Sequence, residues 1–427
     1  MRIDLSKLNP QQKGNLESAL EAYRNKYAIS SPSPSAIFIE LTQNCIAKCA
    51  FCHGPNWKNS PSYNMPNDIF EIILREYVPY ASLVDLRGRG ESLMLSELPD
   101  YIRRIASYGP RIRLITTLGC GTKETLQALV DYDVFVSVSF DAADKDLYEN
   151  TRCGIKYDTV IGNLEYLSGA MLDKYGSLEN HMRIDICPLQ KKNLKYVKGI
   201  MKLTHRLKIK DILIGPLSDS PLCPDHLYNN KFMTVAAFKQ FSKYSTKFSL
   251  HYLLTKPPFE AMRIKEMTFD RCCHPWLYAL ITYNGSLIFC DHLLGIKEGD
   301  PALLGNVKSP KDEIWNGHTA QSLRIAHINK TRSLISQCKA CYQEGRYAEF
   351  EQILCPEFAK YNFTEKELRL LTRRFSAMKY IFLITDISFI FKNNAKLLLR
   401  KKFPKIYAFL KSVKKFWPTD DRRKQPS

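Results

Sequence analysis

The stretch 39-IELTQNCIAKCAFCHGP-55 carries three cysteines, Cys45, Cys49 and Cys52, separated by three and then two residues. It follows directly on an apolar run, AIFIELT (36–42), that reads as a β-strand. Scattered cysteines are common as small buried hydrophobes. Three of them in one loop after a first strand point instead to a metal site. Three thiolates suit a four-iron cluster that leaves one iron open to another ligand. A structural zinc site takes four ligands, and His53, next to Cys52, is poorly placed as the fourth.

Outward from this loop the chain alternates. Further strand candidates are SLVDLRG (82–88), RIRLITT (111–117), VFVSVSF (134–140), RIDICPL (183–189) and DILIGPL (211–217). Between them lie segments with helical spacing, such as DIFEIILREYV, ELPDYIRRIASY and YDTVIGNLEYLSGAM. Six strand–helix units in series imply an α/β fold with a parallel sheet and helices outside it. The pattern fits an open barrel or a doubly wound sheet. In both, the loops at the C-terminal strand ends carry the chemistry. Beyond a proline-bearing link, ALITYNGSLIF reads as a hairpin turning at Asn284-Gly285. A helix is expected over KDEIWNGHTAQSLRIAHI (311–328), followed by SQCKACYQEG and a helical tail.

The chain has 427 residues, 45% hydrophobic and 25% charged, ordinary for a globular protein with a sizeable core. The N-terminus has no signal-peptide pattern, and no uncharged apolar run reaches the ~20 residues of a membrane span. The expected location is cytoplasmic, where 13 cysteines stay reduced and serve as ligands or in chemistry rather than in disulfides. Net charge is +19, of which residues 356–427 supply +12. That tail reads as amphipathic helices, either packed with a solvated basic face or lying on anionic lipid, making the protein membrane-peripheral. No nucleic-acid-binding motif is present, and no nucleic acid is expected as a partner.

The cysteine stretch resembles the signature of the radical S-adenosylmethionine (radical SAM) enzymes, with Phe51 at the aromatic position before the last cysteine. The resemblance implies a partial (β/α)6 TIM-like barrel. It also implies a [4Fe-4S] cluster on Cys45, Cys49 and Cys52, with S-adenosyl-L-methionine on the open iron. In that family one electron cleaves the cofactor to a 5′-deoxyadenosyl radical, which takes a hydrogen atom from substrate. LRGRGES resembles the family's Gly-Gly-Glu-Pro motif at Gly88, Gly90 and Glu91, with Ser92 in place of proline. ITTLGCG resembles a Thr-Asn-Gly motif, with Leu118 in place of asparagine. SVSFDA resembles a Ser-x-Asp segment, which sets Ser139 and Asp141 near the cofactor, and Arg152 is expected to reach its carboxylate.

The second cysteine group, Cys272, Cys273, Cys290, Cys338 and Cys341, resembles the SPASM or twitch extension of such enzymes. Shared features are the hairpin with Gly285 and Cys290, Gly-Asn-Val, Ile-Trp-Asn and the Cys-x2-Cys pair. Pro275-Trp276 selects Cys272 over Cys273. Four ligands, Cys272, Cys290, Cys338 and Cys341, imply one auxiliary [4Fe-4S] cluster; zinc has the same ligand count. Of the remaining cysteines, Cys187 and Cys223 fall near strand ends and are candidates to return a hydrogen atom to a substrate radical. The expected divisions are a leader segment (1–35), the radical SAM barrel (36–240), the auxiliary domain (241–345) and the basic tail (346–427). The expected function is a radical SAM oxidoreductase, a dehydrogenase or an epimerase, fed by flavodoxin or ferredoxin. Only about 35 residues precede the first strand, too few for a leader-binding domain. That tilts the expectation to a small sugar-like or aminocyclitol-like substrate over a peptide. A non-catalytic metal scaffold that uses its tail to bind a partner is the reading from another class.

Overall fold

The computed structural model describes residues 1, 3–49, 51–52, 60–186, 191–214, 240–241, 243–244, 247–248, 251–254, 272–290, 300, 302–331, 335 and 338. Cys187, Cys223, Cys341 and the tail from 346 onward lie outside the described residues. The chain divides into two compact units, 1–229 with 243–362, and 230–242 with 363–427. The second unit falls almost entirely outside the described residues.

The first unit is built on one sheet. Its strands are β1 (Ala36–Ile39), β3 (Leu83–Leu86), β4 (Arg111–Thr116), β5 (Phe135–Ser139), β7 (Met182–Ile186), β8 (Asp211–Ile214), β9 (His251–Leu254), β10 (Tyr278–Ile281), β11 (Ser286–Ile288) and β12 (Leu303–Asn306). A separate pair joins β2 (Lys48–Cys49) to β6 (Arg152–Cys153). The six expected strands lie side by side in chain order, β1-β3-β4-β5-β7-β8, all parallel. The intervening helices are α2 (Asn67–Glu76), α3 (Leu98–Ala106), α4 (Lys123–Asp131), α5 (Lys145–Thr151), α6 (Tyr157–Tyr175) and α7 (Val197–Arg206). This is the mixed α/β, mostly parallel arrangement that the alternating pattern implied.

Register explains both faces of the sheet. One face holds Ile37, Val84, Ile112, Leu114, Val136, Val138 and Ile184, all buried and apolar. The helices meet it with buried rows such as Ile69, Phe70 and Ile73, or Leu98, Ile102 and Ile105. The other face carries the buried charged and hydroxyl residues, alongside Phe38, Leu83 and Phe135. Asp85 pairs in register with Phe38 and Arg113, Ser137 with Arg183, and Ser139 with Asp185. Arg113 Nε donates to Asp85 Oδ2 at 2.5 Å and Arg183 Nε to Asp185 Oδ1 at 2.6 Å, both pairs buried. Buried charges persist where they are paired in this way.

The hairpin extends the same sheet, with β10 running parallel to β1 and β11 antiparallel to β10. It closes through Tyr283–Gly285, where Gly285 takes the left-handed backbone (φ +82°). Residues before β1 form α1 (Pro10–Asn25), started by a capping box in which Asn9 and Gln12 exchange hydrogen bonds. Its Leu16, Ala19, Leu20 and Tyr23 share a core with Trp276, Leu277, Tyr278 and Leu280. The single helix expected over 311–328 is in fact two, α9 (Lys311–Trp315) and α10 (His318–Ile328); α8 is the turn His274–Leu277. The break has a local cause. Asn316 accepts from Ser30 N and from Arg324 Nη1 and donates to Ser31 O, so its side chain is tied away from the helix.

Candidate active site

The cysteine loop leaves β1 at its C-terminal end and is braced along its length. Gln43 N donates to Tyr63 O, and the Asn44 amide donates to Ser60 O and Asn64 Oδ1. Ala47 N donates to Cys45 Sγ at 3.4 Å, and Cys52 N to Cys49 O at 3.0 Å. Phe51 is buried. Burial pushes the Cys45 thiol up to about 12, with Glu91, Cys49 and Cys52 adding to it. Cys49 is raised too, chiefly by burial, against the lowering effect of Arg152. These thiols stay protonated until a metal takes the place of the proton. Among the described residues, no three His, Cys, Asp or Glu side chains converge as ligands of one metal ion. A cluster does not require that, because each of its thiolates binds a different iron.

Gly88, Gly90 and Glu91 fold back over this loop. A Cβ on Gly88 would come within 2.3 Å of Glu40 Cγ, and one on Gly90 within 2.4 Å of Thr42 O. Only glycine permits backbone this close. Glu91 N donates to Asn44 O at 2.8 Å. The Glu91 carboxylate is buried and fully engaged. Oε1 accepts from Thr116 Oγ1 and Leu93 N, and Oε2 from Thr117 N and Thr117 Oγ1. Four acceptor sites are thereby filled inside the protein. Glu91 thus fastens the loop after β3 to the end of β4.

Ser139 ends β5, half-buried and in register with Asp185. Asp141 is buried; its Oδ1 accepts from Arg152 Nε at 2.8 Å, and among the described residues its Oδ2 has no hydrogen-bond partner. Arg152 lies opposite Cys49 in the β2–β6 pair. The structure therefore gathers Cys45, Cys49, Cys52, Gly88, Gly90, Glu91, Asp141 and Arg152 around one loop, with Arg152 directed to Asp141 and Cys49.

In the second cysteine group, Cys290 Sγ lies 3.4 Å from His274 Nδ1, and Cys338 Sγ lies 3.8 Å from His327 Nε2, all four residues buried. Cys272 is half-buried, whereas Cys273 packs in the core beside Trp276. The two histidines were not singled out in the sequence.

Residues 39–182 match the radical SAM superfamily, and residues 272–342 match SPASM, an iron–sulfur cluster-binding domain. The chain is a radical SAM protein with a C-terminal SPASM domain. Its fold is similar to that of Streptococcus suis SuiB bound to S-adenosylmethionine, at 14% identity and TM-score 0.57, over 72% of this chain and 71% of that one. It is also similar to SuiB bound to precursor peptide SuiA, at 15% identity and TM-score 0.55, over 74% and 72%. A third similar structure is anSMEcpe with bound AdoMet, at 14% and 0.52, over 80% of this chain and 99% of that one. No curated protein matches the chain significantly. The shared fold is the TIM-like partial barrel.

The two domains of this radical SAM protein imply [4Fe-4S] clusters and S-adenosylmethionine as cofactors. The residues present fit that requirement. Three cysteines outside any disulfide sit on one braced loop, and among the described residues Asp141 Oδ2 is a buried acceptor with no donor. Sequence reasoning missed Glu40, whose carboxylate accepts from Arg89 N, Gln43 Nε2 and Tyr283 N and so links the loop, the glycine turn and the hairpin. The signal was present: an acidic residue inside an otherwise apolar strand run.

Proposed function

We propose that this chain catalyses radical chemistry on a polar small molecule, by hydrogen-atom abstraction followed by oxidation or epimerisation. The observation that carries the core of this reading is the braced loop of Cys45, Cys49 and Cys52 at the end of β1, roofed by Gly88–Glu91. When bound, the cluster and S-adenosylmethionine supply a one-electron reductive cleavage that generates the abstracting radical. The chain's own residues position that chemistry. Gly88, Gly90 and Glu91 would hold the cofactor's methionine end, and Ser139 and Asp141 would offer it acceptors at the end of β5. Cys272, Cys290, Cys338 and Cys341 would hold the auxiliary cluster that carries the second electron. An electron donor such as flavodoxin or ferredoxin would serve the first. Cys187 and Cys223 are the candidates to return a hydrogen atom in an epimerisation.

The substrate reading draws on the half-buried Ser139 hydroxyl at the end of β5, in register with the buried Asp185 that Arg183 pairs. A polar strand end suits a hydroxyl-rich molecule better than an apolar one. A peptide substrate is the second reading: SuiB and anSMEcpe, whose folds this chain shares, are described bound to precursor peptide SuiA and to the Cp18Cys peptide. Incubation with deuterated sugars, aminocyclitols and peptides, followed by mass analysis of 5′-deoxyadenosine, tests this. Deuterium transfer from a sugar or cyclitol supports the first reading, and transfer only from peptides overturns it. Among the described residues, no helix is long and apolar enough to cross a membrane. Peripheral contact through the basic tail and a cytoplasmic location remain part of the proposal.

A further inference from the structure

We infer that Arg152, oriented by Asp141, raises the reduction potential of the cluster held by Cys45, Cys49 and Cys52. This rests on the cluster-binding reading above. The placement is made by the backbone. Arg152 is 103 residues from Cys49 in sequence, yet the β2–β6 pair sets the two opposite each other. The arginine is 4% exposed. Its Nη1 donates toward Cys49 Sγ at 3.8 Å, and its Nε donates to Asp141 Oδ1 at 2.8 Å. The Phe51 ring, from the same cysteine loop, has its centroid 5.1 Å from the guanidinium carbon. The loop thus encloses the cation from two sides.

A lone guanidinium would not persist in such a place, because burying an unpaired charge is costly. Asp141 supplies the counter-charge. The Nε–Oδ1 hydrogen bond offsets the cost of burial, and the guanidinium keeps its charge. A fixed cation that also offers an N–H to a ligating sulfur favours the more negative state of the cluster, which is the reduced one. Hydrogen bonds to sulfur, local charge and burial are the main protein levers on such potentials. Little water intervenes to screen them. Asp141 opposes the arginine: its carboxylate offsets part of the positive charge felt at Cys49. Arg152 is therefore a positioning residue for the electron, acting through Cys49, and the pair carries opposite signs of effect.

Potentiometric titration of the anaerobically reconstituted full chain, followed by EPR without S-adenosylmethionine, measures this. The relevant cluster is the one whose signal changes when S-adenosylmethionine is then added. Arg152→Met is expected to make that cluster at least tenfold harder to reduce, a negative shift of about 59 mV for one electron. Asp141→Asn is expected to shift the midpoint in the positive direction, and Arg152→Lys to fall between wild type and Arg152→Met. A merely structural role would lower cluster content without moving the midpoints. An unchanged midpoint in loaded Arg152→Met, or shifts of the same sign in Arg152→Met and Asp141→Asn, overturns the inference. If Arg152→Met takes up no cluster, the signs in Arg152→Lys and Asp141→Asn decide in the same way. A wild-type chain with no cluster on the three cysteines overturns the functional reading, and this inference with it.

Discussion

Replacing Gly90 by alanine tests the bracing of the cysteine loop most sharply. An added Cβ would lie 2.4 Å from Thr42 O, 2.6 Å from Asn44 O and 2.8 Å from Thr42 C. An ordinary carbon–oxygen contact is about 3.3–3.6 Å, so these atoms must retreat by roughly 1 Å. They are backbone atoms and have little slack. Asn44 O accepts from Glu91 N, and the Asn44 amide is held at Ser60 and Asn64. Overpacking of this kind costs about 1–3 kcal/mol. The gain from a stiffer unfolded chain is about 0.4–1 kcal/mol, leaving a net loss of roughly 1–2 kcal/mol. The displaced segment leads directly into Cys45, so iron uptake should fall as well. Gly162, exposed within α6 with nothing within 4 Å of an added Cβ, is the control. Alanine there should stabilise by about 0.5–1 kcal/mol and leave iron uptake unchanged. The assays are thermal unfolding of the apo chain and iron per chain after anaerobic reconstitution. A Gly90→Ala chain that loads iron normally and unfolds no earlier than wild type would refute the bracing argument.

Three further outcomes are expected. The Cys45 thiol sits at about 12 in the folded chain against an ordinary 9.0, and Cys49 is raised as well. The folded apo chain therefore keeps protons that the unfolded chain releases, so its stability is full below about pH 9 and declines as pH rises from 9 toward 12. Denaturant titrations at pH 8 and pH 10 should show a steeper decline for the apo than for the cluster-loaded chain; equal declines would contradict this. Arg324 is buried and donates to Pro275 O, Ala28 O, Trp315 O and Asn316 Oδ1. Arg324→Met should destabilise the chain by on the order of 3 kcal/mol, by leaving these acceptors unsatisfied, as read from chemical denaturation. Removing residues 356–427, with 18 Lys/Arg and 6 Asp/Glu, should abolish co-sedimentation with anionic liposomes; equal binding of both chains would refute a membrane role.

The strands were legible because each apolar run is short and flanked by turn residues; β1, β3, β4, β5 and β8 lie within their expected segments, and β7 starts one residue before its own. The alternating polar residues in RIRL and RIDI also carried information, since Arg113, Arg183 and Asp185 all fall on one face of the sheet. Contacts between distant segments were not legible. Nothing near Cys49 announces that Arg152 will pair with it, because the β2–β6 bridge forms only after α5 returns the chain to the loop. The hairpin's docking on β1 and the packing of α1 on Trp276 are likewise tertiary facts. The split at Asn316-Gly317 was missed because the apolar spacing runs through it, while the side-chain ties that bend it come from Ser30, Ser31 and Arg324.

The most direct test of the central claim is anaerobic reconstitution with iron and sulfide, followed by addition of reductant and S-adenosylmethionine. About eight irons per chain, the content of two four-iron clusters, with 5′-deoxyadenosine formed by the wild type and lost in a Cys45→Ala, Cys49→Ala, Cys52→Ala chain, is the result expected. Bound zinc in place of iron, with no 5′-deoxyadenosine under reduction, would contradict it.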